Sequence, residues 1–300
     1  MEITLYPNIK HVLILGAGAS VDYGLPTWKE LSSLIEDKIS NDRIDQYKYK
    51  KEILDWLNKT NNNKKYKTID ECIKYESVSK NYHDNGDEIE NEIFIIIKDI
   101  FGDKYTENNN GWIRILNEKI KDSKRVKIEN TITFINYNYD DVLDRNFLNF
   151  DYLPKKNKRY IDRARLDELF NKTVDCLCPH GKFPTGVNPT RINNMAETMK
   201  SVQEEHLDVV SCYESNEHTV QHSLNRNIVL YILGLGSGLE VNLKNIDFRC
   251  GISEVYITIK GEGESLKENV INYLTKKFNI EPVKIKVYKD CIDLVNNCFN

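Results

Sequence analysis

Four short motifs in this 300-residue chain contain residue types that bind ligands or transfer protons. They are the small-residue turn GAGAS at residues 16–20, the polar run TFINYNYDD at 133–141, His180 with the glycine after it, and the glycine-rich run GLGSG at 234–238. Glycines let a backbone approach a phosphate group, and amides can hold hydroxyl groups. A histidine can exchange a proton near neutral pH. Together these types indicate binding of a phosphate-containing ligand with a proton transfer beside it.

Each motif also has an ordinary structural explanation. Residues 16–20 fit a tight strand-to-helix turn, since the next residue breaks the full G-x-G-x-x-G spacing. Asn138 and Asp140 fit a helix cap and a partner of the helix dipole. His180 fits a surface loop, and residues 234–238 fit a turn that lacks the G-x-S-x-G order of a hydrolase. For each motif taken alone, both interpretations stay open.

Cysteine and histidine spacing gives no support for a metal site. The seven cysteines are odd in number and include no C-x-x-C pair, which argues against a disulfide framework and a four-cysteine zinc module. His218 and His222 are four residues apart and would share a helical face, but no third ligand has suitable spacing. We therefore expect reduced, buried thiols and no bound metal.

Hydrophobic patterns predict the elements that position these motifs. Apolar runs predict six strands, and helical periodicity dominates the chain between the first two of them. The strands are predicted at 9–15, 131–136, 174–178, 228–233, 255–259 and 283–287. This alternation predicts one α/β domain over 1–300, with a mainly parallel sheet, a helical insertion at 28–125 and a helix at 266–278. Each motif then follows the carboxyl end of a strand, where such sheets bind ligands.

Composition and charge exclude several classes of function. The formal net charge is −4 and the pI is near 6.0, which argues against direct binding of nucleic acid by bulk charge. No apolar stretch approaches the roughly 20 residues of a membrane span. The apolar run at 12–15 is too short for the core of a signal peptide. We therefore expect a cytoplasmic protein that does not enter a membrane.

In this order, the motifs resemble the sirtuin superfamily, and within it the NAD-hydrolysing effectors of bacterial antiphage defence. The resemblance spans about residues 9–238 and includes the sequence Gly-Leu-Pro at 24–26 and Asn-Tyr-Asp at 138–140. It implies a sirtuin-like Rossmann-type sheet and cleavage of NAD to nicotinamide and ADP-ribose, with NAD as substrate. Because uncontrolled NAD loss would kill the host, as in abortive infection, it also implies regulation. That regulation would come from homo-oligomerisation or from a separate activating protein, such as an ATPase or a nucleic-acid-guided protein.

The resemblance also assigns roles to individual residues. Asn138 would hold the nicotinamide ribose or the attacking water, Asp140 would orient the cofactor, and His180 would be the general base. The pyrophosphate of the cofactor would be contacted by the turn after the first strand, which consists of Gly16, Ala17, Gly18, Ala19 and Ser20. Pro26 and Thr27 would lie on the nicotinamide side. Gly236 and Ser237 would contact the adenosine half. A Gly18→Val change is then expected to weaken NAD binding without unfolding the protein.

Two departures from the deacetylase sirtuins bear on an alternative function. Those enzymes carry Asp-Phe-Arg after Gly-x-Pro, where this chain has Thr27 and Trp28, and they carry a four-cysteine zinc module that is missing here. Both departures argue against an NAD-dependent protein deacylase. That alternative stays open, as does a non-catalytic nucleotide-binding subunit of a defence complex.

Overall fold

Six parallel strands form one sheet in the protein, for which we describe a computed structural model. The structure describes residues 10–41, 46–61, 72, 76, 85–122, 132–143, 145–146, 175–177, 228–244, 246, 251–260 and 264–299. The strands are β1 (Lys10–Leu15), β2 (Ile132–Asn136), β3 (Asp175–Leu177), β4 (Ile228–Leu233), β5 (Ile252–Thr258) and β6 (Ile285–Tyr288). Their order is β3-β2-β1-β4-β5-β6, and every neighbouring pair is parallel. The prediction of a parallel α/β sheet is therefore confirmed, and this order is compatible with a Rossmann-like fold.

In the part of the chain that the structure describes, helices lie after β1, β4, β5 and β6. The described helices are α1 (Trp28–Ser40), α2 (Lys50–Asn61), α3 (Gly86–Lys104), α4 (Trp112–Asp122), α5 (Leu239–Leu243), α6 (Glu264–Phe278) and α7 (Cys291–Cys298). The first four lie between β1 and β2, in the range for which the sequence predicts an insertion. The division of the chain into a sheet domain and an insertion stays a prediction. Among the described helices, none combines the length and apolar character that crossing a membrane requires.

Both faces of the sheet are covered, which explains the apolar runs in its central strands, residues 12–15 of β1 and all of β4. On β1, Leu13 and Leu15 pack with α4 and α7, while Val12 and Ile14 pack with α6 on the opposite face. Successive side chains of a strand point to opposite faces, so a strand buried on both sides needs an unbroken apolar run. β4 meets the same requirement, because all six of its residues are buried.

The helices α1, α2 and α3 pack around a hydrophobic cluster of their own. Ile35, Ile53, Trp56 and Ile97 are completely buried in this cluster. Tyr139, which follows β2, joins it through an edge-to-face contact with the ring of Phe94 in α3, with centroids 5.7 Å apart. Of the three helices, α3 therefore contacts the segment that follows the carboxyl end of β2.

Two strands begin at least two residues away from their predicted first residue. β5 begins at Ile252, three residues earlier than predicted, and its first three residues are only half-buried, so the apolar signal there is weak. β6 begins at Ile285 because Pro282–Lys284 forms a 3₁₀ turn in which the proline occupies the first position. Val283, predicted to be in the strand, lies in this turn and is 78% exposed.

One buried polar side chain joins the two central strands. His11 on β1 is 1% exposed, and its Nδ1 lies 3.0 Å from the hydroxyl oxygen of Tyr231 on β4. Its ring stacks on that of Tyr231 and contacts that of Phe299. Burial lowers the pKa of His11 to about 4, so the imidazole is neutral at physiological pH.

Candidate functional site

The candidate site lies at the carboxyl edge of the sheet, where the loops after β1 and β4 meet. The chain leaves β1 in a 3₁₀ turn, Ala17–Tyr23, and leaves β4 in a shorter one, Gly236–Gly238. The backbone N–H of Gly16 donates to the carbonyl oxygen of Leu233, and that of Gly18 donates to the carbonyl oxygen of Gly234, both at 2.9 Å. The two glycine-rich motifs are therefore joined, although 218 residues separate Gly16 from Gly234.

The packing of one loop on the other requires glycine at positions 16 and 18. A Cβ at Gly18 would lie 2.9 Å from both the Cα and the carbonyl oxygen of Gly234. A Cβ at Gly16 would lie 2.8 Å from the same oxygen. The expectation for Gly18→Val therefore needs correction, because the valine side chain would displace the β4 loop before it met any ligand.

Asn138 and Ser20, from two different motifs, contact each other directly. Asn138 Nδ2 donates to Ser20 Oγ at 3.0 Å, and both side chains are buried. The N–H of Tyr137 donates to the carbonyl oxygen of Leu15, which continues the pairing of β1 and β2 past their ends. The N–H of Asn138 in turn donates to Asn136 Oδ1 at 3.1 Å. A buried amide and a hydroxyl therefore stand together beside the β1 loop.

Asp140 and Thr27 have local structural partners. The buried carboxylate of Asp140 accepts a hydrogen bond from the N–H of Val142 at 3.0 Å, so it caps the helical turn that follows. Thr27 is the N-cap of α1, and its N–H and Oγ1 each donate to Glu30 Oε2 at 2.7 Å. These bonds lower the pKa of Glu30. Both side chains therefore cap a helical segment in the structure, and neither contact tests the role toward a ligand that the resemblance implies.

The remaining predicted residues are placed only in part. Pro26 is buried just before α1, and Gly236 adopts the left-handed region with a φ of 51°. The backbone of Ser237 lies in the turn after β4. His180 is outside the described residues, as are His218 and His222.

Sequence reasoning missed several residues that contact the β1 loop. Trp112 and Tyr23 are buried there, and Trp112 Nε1 donates to the carbonyl oxygen of Ala19 at 2.6 Å. Asp22 lies in the same turn, where burial and the charge of Asp290 raise the pKa of its carboxyl. In the sequence, Trp112 only forms part of a helical hydrophobic pattern. Nothing in the sequence signals a bond between groups 93 residues apart.

The described residues contain no cluster that resembles a metal site. No group of three histidine, cysteine, aspartate or glutamate side chains among them could hold a metal ion. Of the cysteines, Cys72, Cys291 and Cys298 are described, and all three are buried free thiols. Burial raises the pKa of Cys291 to about 12 and that of Cys298 to about 11, so both thiols stay protonated at neutral pH.

Strand order and strand direction make this chain a parallel α/β protein, and the order is compatible with a Rossmann-like fold. The connections after β1 and β4 leave toward opposite edges of the sheet, which makes the boundary between these strands the switch point. Ligands of such sheets bind in the crevice at that point. The chain matches no protein-family model, and no curated protein is significantly similar to it. Any functional assignment therefore depends on the residues at this edge.

Proposed function

We propose that the protein hydrolyses NAD to nicotinamide and ADP-ribose, as an NAD-depleting effector of antiphage defence. The observation that carries the proposal is the pair of joined glycine-rich loops at the switch point between β1 and β4. Sheets with this strand order bind dinucleotides across the carboxyl ends of their strands at that point. The resemblance of the four motifs to sirtuin-like NAD hydrolases is a second support, and it extends the proposal to a sirtuin-like form of the fold.

Strand order also suggests how the dinucleotide would lie. Because β2 and β4 flank β1 on opposite sides, a ligand centred on residues 16–20 would extend over both neighbours. Its adenosine half would lie on the β4 side, beside Gly236 and Ser237. Its nicotinamide ribose would lie on the β2 side, beside Asn138 and close to Pro26.

The proposed reaction breaks one bond of NAD and forms one with water. The bond between the ribose C1′ and the pyridinium nitrogen breaks, and its electron pair leaves with nicotinamide, which becomes neutral. A water oxygen bonds to the oxocarbenium-like C1′, and the water gives up a proton. The Asn138 amide can hold the water or a ribose hydroxyl, since an amide both donates and accepts hydrogen bonds. Holding the reactants in place lowers the barrier by positioning.

Two further residues complete the proposed chemistry. Asp140 would place a carboxylate near the ribose on which positive charge develops, and oriented negative charge stabilises such a transition state. His180 would accept the proton of the attacking water as a general base. The role of His180 stays a prediction from the sequence, which puts this residue three positions after the end of β3.

Product analysis after incubation with NAD tests the proposal. Free nicotinamide and ADP-ribose in equal amounts would support hydrolysis. Nicotinamide released only when an acetylated peptide is present would identify a deacylase instead. Intact NAD bound to the protein, at any concentration, over long incubation and with the proteins encoded by neighbouring genes added, would indicate a nucleotide-binding subunit. Either of the last two results would refute the proposed reaction.

Substitution of Asn138 and His180 tests the assignment of roles. Asn138→Ala and His180→Ala are each expected to lower kcat for NAD at least about a hundredfold, the scale of a lost positioned proton acceptor. Asn296→Ala, an exposed asparagine on α7, and His222→Ala should keep the parent rate. A parent-like rate in His180→Ala would show that another group is the base.

Control of NAD cleavage is part of the proposal, because unregulated activity would kill the cell. We expect the chain to self-associate or to stay inactive until a separate activating protein binds it. Light scattering on the purified chain, combined with the NAD assay with and without proteins encoded by neighbouring genes, measures both properties. A monomer with full activity by itself would contradict this expectation.

A further inference from the structure

The turn after β1 is held by a connector from the helical region, residues 105–113, which follow α3 and include the first two residues of α4. The N–H of Thr106 donates to the carbonyl oxygen of Tyr23 at 2.9 Å, and Asn108 Nδ2 donates to that of Asp22 at 2.8 Å. Trp112 Nε1 donates to the carbonyl oxygen of Ala19. Three donors of one short segment therefore bond to three carbonyl groups of one seven-residue turn.

The side chain of Tyr23, which belongs to the turn, also bonds to the connector. It is completely buried, and its hydroxyl oxygen accepts the N–H of Ile113 at 3.1 Å, near the start of α4. A Cβ at Gly111 would lie 2.4 Å from that hydroxyl oxygen, so only glycine leaves room for the tyrosine there. The connector and the turn are therefore shaped to fit each other.

The bond from Trp112 ends next to a residue of the candidate site. The carbonyl of Ala19 belongs to the peptide plane that leads into Ser20, and Ser20 Oγ accepts from Asn138. Because a peptide group is planar, fixing the carbonyl also fixes the direction of the next N–H. Trp112 is 1% exposed, so water competes little for this bond. Its effect can reach Asn138 through Ala19 and Ser20.

We propose that Trp112 and Tyr23 are positioning residues, through which the helical region holds the β1 loop in the conformation that binds a dinucleotide. This inference rests on the proposed function for the identity of the ligand. It adds that the affinity of the site depends on the connector 105–113. A change in the helical region that moved the connector would then change NAD binding without a contact to NAD.

Trp112→Phe is the main test, because it removes the N–H donor and keeps an aromatic ring. In the ligand-free full-length chain, we expect amide hydrogen exchange at residues 17–25 to be about tenfold faster, the effect of losing one buried hydrogen bond. We also expect the Kd for ADP-ribose, measured by calorimetry, to rise about tenfold, and KM for NAD to rise more than kcat falls.

Trp56→Phe is the matched control, since Trp56 is completely buried in the separate cluster of α1, α2 and α3. It should lower the melting temperature without changing exchange at 17–25 or the affinity for ADP-ribose. If Trp112→Phe does not fold, Tyr23→Phe removes the acceptor of the Ile113 N–H with a smaller change and is measured in the same way.

Each outcome supports or overturns one specific claim. Unchanged exchange at 17–25 in Trp112→Phe, or an equal change in Trp56→Phe, would overturn the inference. Faster exchange with an unchanged Kd would overturn the role in ligand binding. If the parent chain binds neither NAD nor ADP-ribose, the proposed function fails, and the exchange measurement still decides whether the connector holds the loop.

Discussion

The loops that leave β1 and β4 have similar sequences, GAGAS and GLGSG, but their glycines meet different surroundings. Gly18 lies against the backbone of Gly234, whereas a Cβ added to Gly236 would meet nothing within 4 Å. Gly236 has a positive φ of 51°, and Gly18 does not. One loop therefore needs glycine for the close approach of two backbones, and the other needs it for a left-handed turn. Gly234, with a φ of 67° and close neighbours, has both requirements.

This difference limits what a glycine-rich strand end can indicate. Packing of the two loops already requires Gly16, Gly18 and Gly234, with no ligand involved. The case for a dinucleotide site therefore depends on where the joined loops lie, at the switch point between β1 and β4, and on the pair formed by Asn138 and Ser20. The glycine content of the two loops is weaker evidence for a ligand.

Gly234→Ala is expected to have the largest effect on stability. A Cβ there would lie 2.0 Å from the backbone nitrogen of Ala19, and alanine also disfavours the left-handed conformation. Overpacking and backbone strain together should lower the free energy of unfolding by about 4 kcal/mol, measured by urea denaturation. Gly102→Ala is the control, since this helical glycine of α3 has open space around it and should gain about 0.5–1 kcal/mol. A stable Gly234→Ala protein would contradict the joined-loop geometry.

Lowering the pH should destabilise the pair of strands, β1 and β4, that precede the two loops. His11 on β1 bonds to Tyr231 on β4, and its pKa is about 4 in the folded protein against about 6.5 when unfolded. Between these values the unfolded chain binds more protons. The stability from neutral His11, about 3 kcal/mol, is therefore present above pH 6.5 and is lost as the pH falls toward 4. His11→Gln, which cannot titrate, should show a flatter profile in denaturation from pH 7 to 4. Parallel profiles of parent and variant would refute this assignment.

Gly18→Ala tests the close approach without the left-handed strain. Its Cβ would be 2.9 Å from Gly234, so one of the two loops must shift, at a cost of about 2 kcal/mol. The midpoint of urea denaturation measures this cost. If Gly18→Ala lost less stability than Gly236→Ala, the close approach of the two backbones would matter less than the left-handed turn. That result would contradict the comparison of the two loops.

Gly236→Ala should have the smallest effect, because only its backbone conformation opposes the change. Placing alanine in the left-handed region costs about 1 kcal/mol, and the surrounding space is open. Gly236→Asn should recover most of that loss, since asparagine adopts this conformation more readily. Melting temperatures of the two variants measure the difference. An asparagine variant less stable than the alanine variant would mean that side-chain crowding, and not φ, decides at this position.

Local physical patterns in the sequence were sufficient to predict the parallel sheet. Strands buried on both faces must be apolar throughout, so β4 was predicted with its observed bounds. The amphipathic helix α6 was predicted to within two residues for the same kind of reason, since one face of it is buried. Less regular signals failed, as at β6, where the turn that Pro282 starts includes the first two residues of the predicted strand.

The sequence by itself determined which polar and small residues follow the strand ends, because strands, turns and caps are encoded within a few neighbouring residues. Tertiary structure alone decided which of these strand ends meet. β1 and β4 are adjacent although more than 200 residues separate them, and this brings Gly18 against Gly234. It also decided that Asn138 bonds to Ser20 and Trp112 to Ala19. Such contacts arise from the packing of distant elements, which no local pattern of residues specifies.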